Sequence, residues 1–278
     1  MAFNDAEIST QDGRPIALYL IVWGATVWAY TSADRNITRS EIINGVATDV
    51  EYLALAVSDK GMVQGGSSAN DFTLDCPANL PIVDLFRGTP PSDSIWLTVR
   101  RKHESEVDAP IYWIGTVTNV KRLGDADAQV IGKPITASFK RTGLRLCWTR
   151  ECPHFLYDPG CRVDPEDFRT DGAVTALTGN TVTLDTLGAH PDGYFNGGFI
   201  SWEITDEGTI ERRMIESHTG LVLTMLGLTD GLEIGDAVAV YPGCDRSPTT
   251  CNSKFANLPN FGGFDFMPGQ TPFGTLIF

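Results

Sequence analysis

The chain has 278 residues, of which 42% are hydrophobic and 20% charged, a balance that excludes wholesale disorder and leaves room for one large β domain or two smaller ones. A formal net charge of −14 argues against a nucleic-acid-binding surface, which needs a basic stripe. Residues Met1 to Glu7 lack a basic segment followed by an apolar one, so no secretory signal is expected, and clustered cysteines in a reducing cytoplasm read as metal ligands before disulfides.

In chain order, the longest apolar run extends from Ile16 to Trp28. Gly24 and Thr26 break it, and it is too short to span a bilayer. Cys76 stands alone beside Pro77 and reads as a buried apolar side chain. One segment looks helical, Asn79 to Phe86, with Asn79 as N-cap, Pro81 in the first turn and Gly88 as the stop. Alternating β-branched and aromatic residues predict strands over Ile95–Val99, Tyr112–Val117 and Ile135–Phe139. The basic run from Val99 to His103 reads as a solvated strand end.

A boundary is expected near Arg141–Leu146, dividing the chain into a β-rich region, 1–143, and a small β domain, 144–278. In the second part, Gly172–Leu177 and Thr181–Leu184 read as a hairpin turning at Gly179-Asn180, and Arg212–Ser217 and Val222–Leu226 as another across His218-Thr219-Gly220. Beyond Cys251, Lys254 to Phe278 holds Phe255, Phe261, Phe264, Phe266, Phe273 and Phe278 among Gly and Pro. With no clean period it cannot form a core of its own, and is expected to lie over the domain or dock on a neighbouring subunit. The fold class is all-β, with one or two short helices and no sustained βαβ alternation.

The chemistry concentrates in two cysteine pairs, Cys152-x8-Cys161 and Cys244-x6-Cys251, both in loops dense with Pro, Gly and Asp. Four thiolates brought to one point would hold a soft metal, either a tetrahedral zinc or an iron–sulfur cluster. Zinc favours tighter C-x2-4-C knuckles, so the wider gaps lean toward a larger object. His154, inside the first loop, reads as an outer contact or an exposed side chain. No catalytic set emerges: the four histidines, His103, His154, His190 and His218, are scattered, with no H-E-x-x-H helix and no G-x-S-x-G elbow. The chain therefore reads as a non-enzyme.

The stretches Cys152-x8-Cys161-Arg162-Val163-Asp164, Gly193-Tyr194-Phe195-Asn196-Gly197-Gly198 and Gly243-Cys244-Asp245-x5-Cys251-x2-Lys254-Phe255 occur in an order that resembles a known family. Asn257-x2-Asn260-Phe261-Gly262-Gly263-Phe264 and Pro268-Gly269 follow. Together they resemble the C-terminal domain of BR0599-type phage tail proteins, similar to the minor tail protein L of phage lambda and the hub of gene transfer agents. Tyr30–Arg35 and Leu80–Gly88 resemble the family's hub region more weakly.

The resemblance implies a β-barrel-like hub region followed by a small domain stapled by a [4Fe-4S] cluster, with Cys152, Cys161, Cys244 and Cys251 as ligands and Cys147 as the substitute for Cys152. It implies a structural component of the virion tail tip or baseplate hub of a long-tailed bacteriophage, made in the host bacterial cytoplasm. A homotrimeric ring would join the distal tail ring protein to the central fibre or spike protein, with DNA passing through its lumen without specific binding and no membrane insertion. The alternatives are a metal-dependent enzyme with a zinc or iron–sulfur site, and a tail protein that binds a receptor or glycan through its six tryptophans.

Overall fold

A computed structural model describes residues 15–61, 71–104, 106–140, 143, 147–204 and 208–267. The chain forms two compact units, one of Met1–Arg141 with Ile204–Glu211, the other of Thr142–Glu203 with Arg212–Phe278.

The first unit begins with the apolar run. It folds into β1 (Pro15–Trp23) and β2 (Thr26–Thr31), paired antiparallel across Gly24-Ala25. In β1 the inward side alternates, but both faces are buried: Leu18 and Leu20 enter one apolar cluster, Tyr19, Ile21 and Trp23 another. A strand covered on both sides needs an unbroken apolar stretch, which accounts for the length of this run.

The remaining strands are β3 (Ile37–Ile43), β4 (Val46–Ala54), β5 (Ser58–Asp59), β6 (Phe72–Pro77), β7 (Ile95–His103), β8 (Ile111–Arg122) and β9 (Asp127–Pro134). All nine make one sheet in the order β3-β4-β2-β1-β7-β8-β9-β6-β5. The sheet curls strongly. Asp59, in the strand at one end, accepts a 2.7 Å hydrogen bond from the Tyr19 hydroxyl of β1 and pairs with Arg101 of β7 at 2.7 Å. At the other end Glu41 of β3 reaches Arg100 of β7 at 3.0 Å, across the three strands that separate them in the sheet.

The basic run from Val99 to His103 is therefore not a solvated strand end. Arg100 and Arg101 are both ion-paired, the Arg101 guanidinium lies 4.0 Å over the Tyr112 ring, and His103 is buried. Ile135–Phe139 also differs from expectation, forming a 3-10 turn over Ile135–Lys140. Pro134 ends the ladder by lacking an N–H, and the Ser138 hydroxyl bonds back to the Ile135 carbonyl at 2.8 Å. The helix expected near Asn79 is present as α1 (Pro81–Leu85), but its N-cap is Leu80, which offers no side-chain acceptor. It is held by burial of Ile82 and Val83 in the main core.

Residues 204–211 return to this unit from between two strands of the other. Ile204 packs against the main core, the Thr209 hydroxyl sits 3.3 Å from that of Thr26, and Glu211 accepts from the Ser92 N–H at 2.9 Å.

The second unit is a closed six-stranded barrel, β10 (Thr170–Thr178), β11 (Thr181–Leu184), β12 (Phe199–Glu203), β13 (Ile210–Thr219), β14 (Val222–Met225) and β15 (Ala237–Tyr241), ordered β10-β11-β14-β13-β12-β15. Both expected hairpins are there. Thr178 pairs with Thr181 across Gly179-Asn180, and Thr219 with Val222, so that the first strand of the second hairpin runs two residues further than expected and its turn is Gly220-Leu221. Val174, Leu184, Phe195, Ile200, Ile215, Leu223, Met225 and Val240 fill the barrel. A second helix, α2 (Pro248–Ser253), carries Cys251 and was not expected. The all-β class is borne out, and the unit that closes into a hydrogen-bonded ring is the second; the first curls as an open sheet. Among the described residues no helix is long and apolar enough to cross a membrane.

Candidate metal centre

Two loops of the second unit carry the cysteine pairs, and each is shaped by its own carboxylate. In the first, Asp158 accepts from the N–H groups of Phe155 (3.0 Å), Gly160 (2.8 Å) and Cys161 (2.6 Å). Burial works against its charge, but these donors outweigh it and hold the carboxyl below its ordinary range. In the second, Asp245 accepts from the Ser247 N–H at 2.9 Å, and Ser247 caps α2 by accepting from the Thr250 N–H at 3.1 Å. The two loops meet directly where the Cys152 N–H donates to the Arg246 carbonyl at 3.1 Å.

Glycine and strained backbone set the approach. A Cβ on Gly243, the residue before Cys244, would overlap the Asn196 carbonyl and the backbone of Gly197, and one on Gly198 would overlap the Tyr241 carbonyl. Here two chains run backbone to backbone, which only glycine permits. Of the five non-glycine residues with positive φ among the described residues, four lie in or beside the cysteine loops: Tyr157 (69°), Arg162 (61°), Arg246 (64°) and Ala256 (48°). Left-handed backbone at such residues costs about 1–3 kcal/mol each and persists where the surroundings demand it.

The loops enclose a cavity of about 450 Å³ whose walls include Cys152, Cys161, Cys244 and Cys251. Cys161 and Cys251 are buried, Cys152 and Cys244 half-buried, and all are free thiols. Cys147 is exposed and is not among the lining residues, while Cys76 is buried in the first unit. His154 also lines the cavity, its ring set against Gly160 and Gly262. Burial pushes the Cys244 and Cys251 thiols up, and the negative charge of the other cavity cysteines adds to it. Four thiolates at this spot repel one another unless a cationic centre sits among them.

No group of three or more His, Cys, Asp or Glu side chains among the described residues is arranged to hold a single metal ion. A tetrahedral zinc needs sulfurs about 2.3 Å from one point. The four cysteines all line one cavity of about 450 Å³, and two of their sulfurs already receive hydrogen bonds. The Arg246 N–H donates to Cys244 Sγ at 3.3 Å, and the Asn257 amide reaches Cys161 Sγ at 3.7 Å. Four soft donors lining one cavity, with N–H groups on two of the sulfurs, fit a polynuclear iron–sulfur group in donor chemistry and in room.

Lys254, Asn257 and Asn260 were quoted in sequence motifs without a role, and Tyr157 was not singled out. Lys254 donates to the Gly243 carbonyl at 2.8 Å and to that of Tyr194, and its ammonium lies 4.2 Å over the Tyr194 ring. Tyr157 donates to the Pro242 carbonyl at 2.9 Å. Asn257 and Asn260 stand in the cavity wall. Elsewhere in the unit His190 and His218 flank Phe195, each ring 5.0 Å from it. Of the tryptophans, Trp23, Trp113 and Trp202 are buried. Trp96 in the first unit is exposed, as is Trp148 in the second, the latter stacked on Phe264 at 4.4 Å.

Residues 193–271 match the model of a family described as phage conserved hypothetical protein BR0599. The resemblance read from the sequence is borne out. The BR0599 match takes in Cys244, Cys251, Lys254, Asn257 and Asn260, with Cys152 and Cys161 upstream of it. No curated protein matches the chain. Among solved structures, a chain from the "Virion of native gene transfer agent (GTA) particle" is 18% identical, with a TM-score of 0.75 over 99% of this chain and 94% of that one. At that identity the likeness is one of fold, and it spans both units.

Proposed function

We propose that the protein is a structural component of a phage or gene-transfer-agent tail tip, a hub ring joining the distal tail ring to the central fibre or spike protein. The observation that carries this reading is the fold match to a virion chain over 99% of the residues. The BR0599 match over the cysteine-bearing C-terminal stretch supports it.

Within that role Cys152, Cys161, Cys244 and Cys251 would hold a [4Fe-4S] cluster, which supplies bonds tying two loops that start some ninety residues apart. The protein's own part is to bring the sulfurs to one cavity, bury two of them and aim N–H groups at two of them. A homotrimer suits the ring. The charge of −14 suits passage of DNA without adhesion, a point that a basic channel in the assembled ring would sink.

Two measurements test the proposal. Cryo-electron microscopy of particles assembled with tagged protein should place the tag at the tail tip; a tag on the capsid, or particles lacking the protein, would overturn the hub role. Anaerobic purification should return iron and sulfide in about equal amounts. Zinc without sulfide would replace the cluster by a zinc site, and no metal in a folded protein would remove the metal centre.

A further inference from the structure

Asn257 touches both cysteine loops. Its backbone N–H donates to the Cys251 carbonyl at 2.9 Å, and its side-chain Nδ2 donates to the Cys161 carbonyl at 2.6 Å and lies 3.7 Å from Cys161 Sγ. Those two cysteines are buried, come from different loops and face the same cavity. The amide is itself oriented. Asn260 Nδ2 donates to Asn257 Oδ1 at 2.7 Å, and the Asn260 N–H donates to the Asn257 carbonyl at 3.0 Å. With Oδ1 occupied by a donor, Nδ2 can only face Cys161. The preceding residue, Ala256, takes a left-handed conformation (φ 48°), which turns the chain after α2 so that Asn257 points back across the site.

We propose that Asn257, oriented by Asn260, is the positioning residue of the centre, fixing Cys161 and donating a hydrogen bond to its sulfur. This rests on the cluster reading above. A thiolate ligand that accepts such a bond carries less charge, which stabilises the reduced cluster and raises its potential. The carbonyl bond locks the backbone that presents the same sulfur. An aspartate of the same shape has acceptors where Asn257 has donors, so it would face both the Cys161 carbonyl and its sulfur with negative charge.

The test uses the full chain, purified anaerobically, as wild type, Asn257→Asp and Asn260→Leu. Iron release to a chelator and the reduction potential are measured, with circular dichroism as the control for folding. Asn257→Asp should release iron about 10-fold faster or more, with its potential moved to more negative values. Asn260→Leu, which keeps the donor but frees its amide, should shift both readouts the same way by less. A purely mechanical clasp would speed release and leave the potential where it was, and that result overturns the sulfur bond. Wild-type rate and potential in Asn257→Asp overturn the inference alone; if that variant fails to fold, Asn260→Leu decides by the same two readouts. Wild-type protein without iron and sulfide overturns the cluster reading and this inference with it.

Discussion

Single side chains in the first unit make its alkaline stability predictable. Burial pushes the Cys76 thiol from 9.0 up to about 11 and the Tyr30 hydroxyl from 10.0 up to about 12, each with a smaller contribution from a neighbouring charge. The folded state keeps these protons while the unfolded chain releases them, so above pH 9 the unfolded state binds fewer protons and unfolding becomes easier. Unfolding free energy should hold level up to about pH 9 with respect to these groups and fall from there to about pH 12; Cys76→Val should delay the onset toward pH 10. Denaturant titrations at stepped pH check this, and identical onsets in both proteins would refute the role of Cys76. In the second unit, Gly243→Ala would force a methyl into the Asn196 carbonyl. Such overpacking costs about 1–3 kcal/mol, read as a lower urea midpoint, and because Cys244 is next in the chain, iron content should fall as well.

Among elements, the tie between β3 and β7 is the one most exposed to a single change. Glu41 is buried and is shared by Arg100 (3.0 Å), Arg39 (3.1 Å) and the Tyr52 hydroxyl (2.9 Å). Removing one partner of a buried ion pair leaves the others uncompensated and costs about 3–5 kcal/mol. Glu41→Ala should lose that much in chemical denaturation, whereas Arg87→Ala, which removes only the exposed pair with Asp84, should lose under about 1 kcal/mol. Elements whose signal is local were legible in the sequence: the two hairpins of the barrel are fixed by turn residues, and β7 and β8 by alternation. Ile135–Phe139 alternates equally well, but alternation says nothing of whether a neighbouring strand is there to pair with, and Pro134 had already ended the ladder. The helix bearing Cys251 escaped notice because six residues are too few for an apolar period; its signals are only Ser247 and Pro248 at the start.

For the whole molecule, the cysteines stood out because thiols in Pro- and Gly-rich loops are conspicuous, and the cavity gathers the four that the resemblance implied. Asn257 belonged to a quoted motif, but its role was not legible, since an amide carries no charge to mark it as a partner of a thiol and Cys161 lies 96 residues away. The excursion of residues 204–211 was equally invisible: nothing in their composition marks a segment that completes the other unit.

That excursion has a consequence for biogenesis. The chain visits the first unit, leaves it near residue 141 and comes back for residues 204–211. On the ribosome the nascent first unit must therefore wait while seventy further residues are made, roughly 4–14 s at about 5–20 residues per second. During that interval Trp23, Thr26 and Ser92 lack the partners that Thr209 and Glu211 later bring. The order of synthesis is thus not the order of completion, and the first half of the chain is finished only when three of the six barrel strands have been translated.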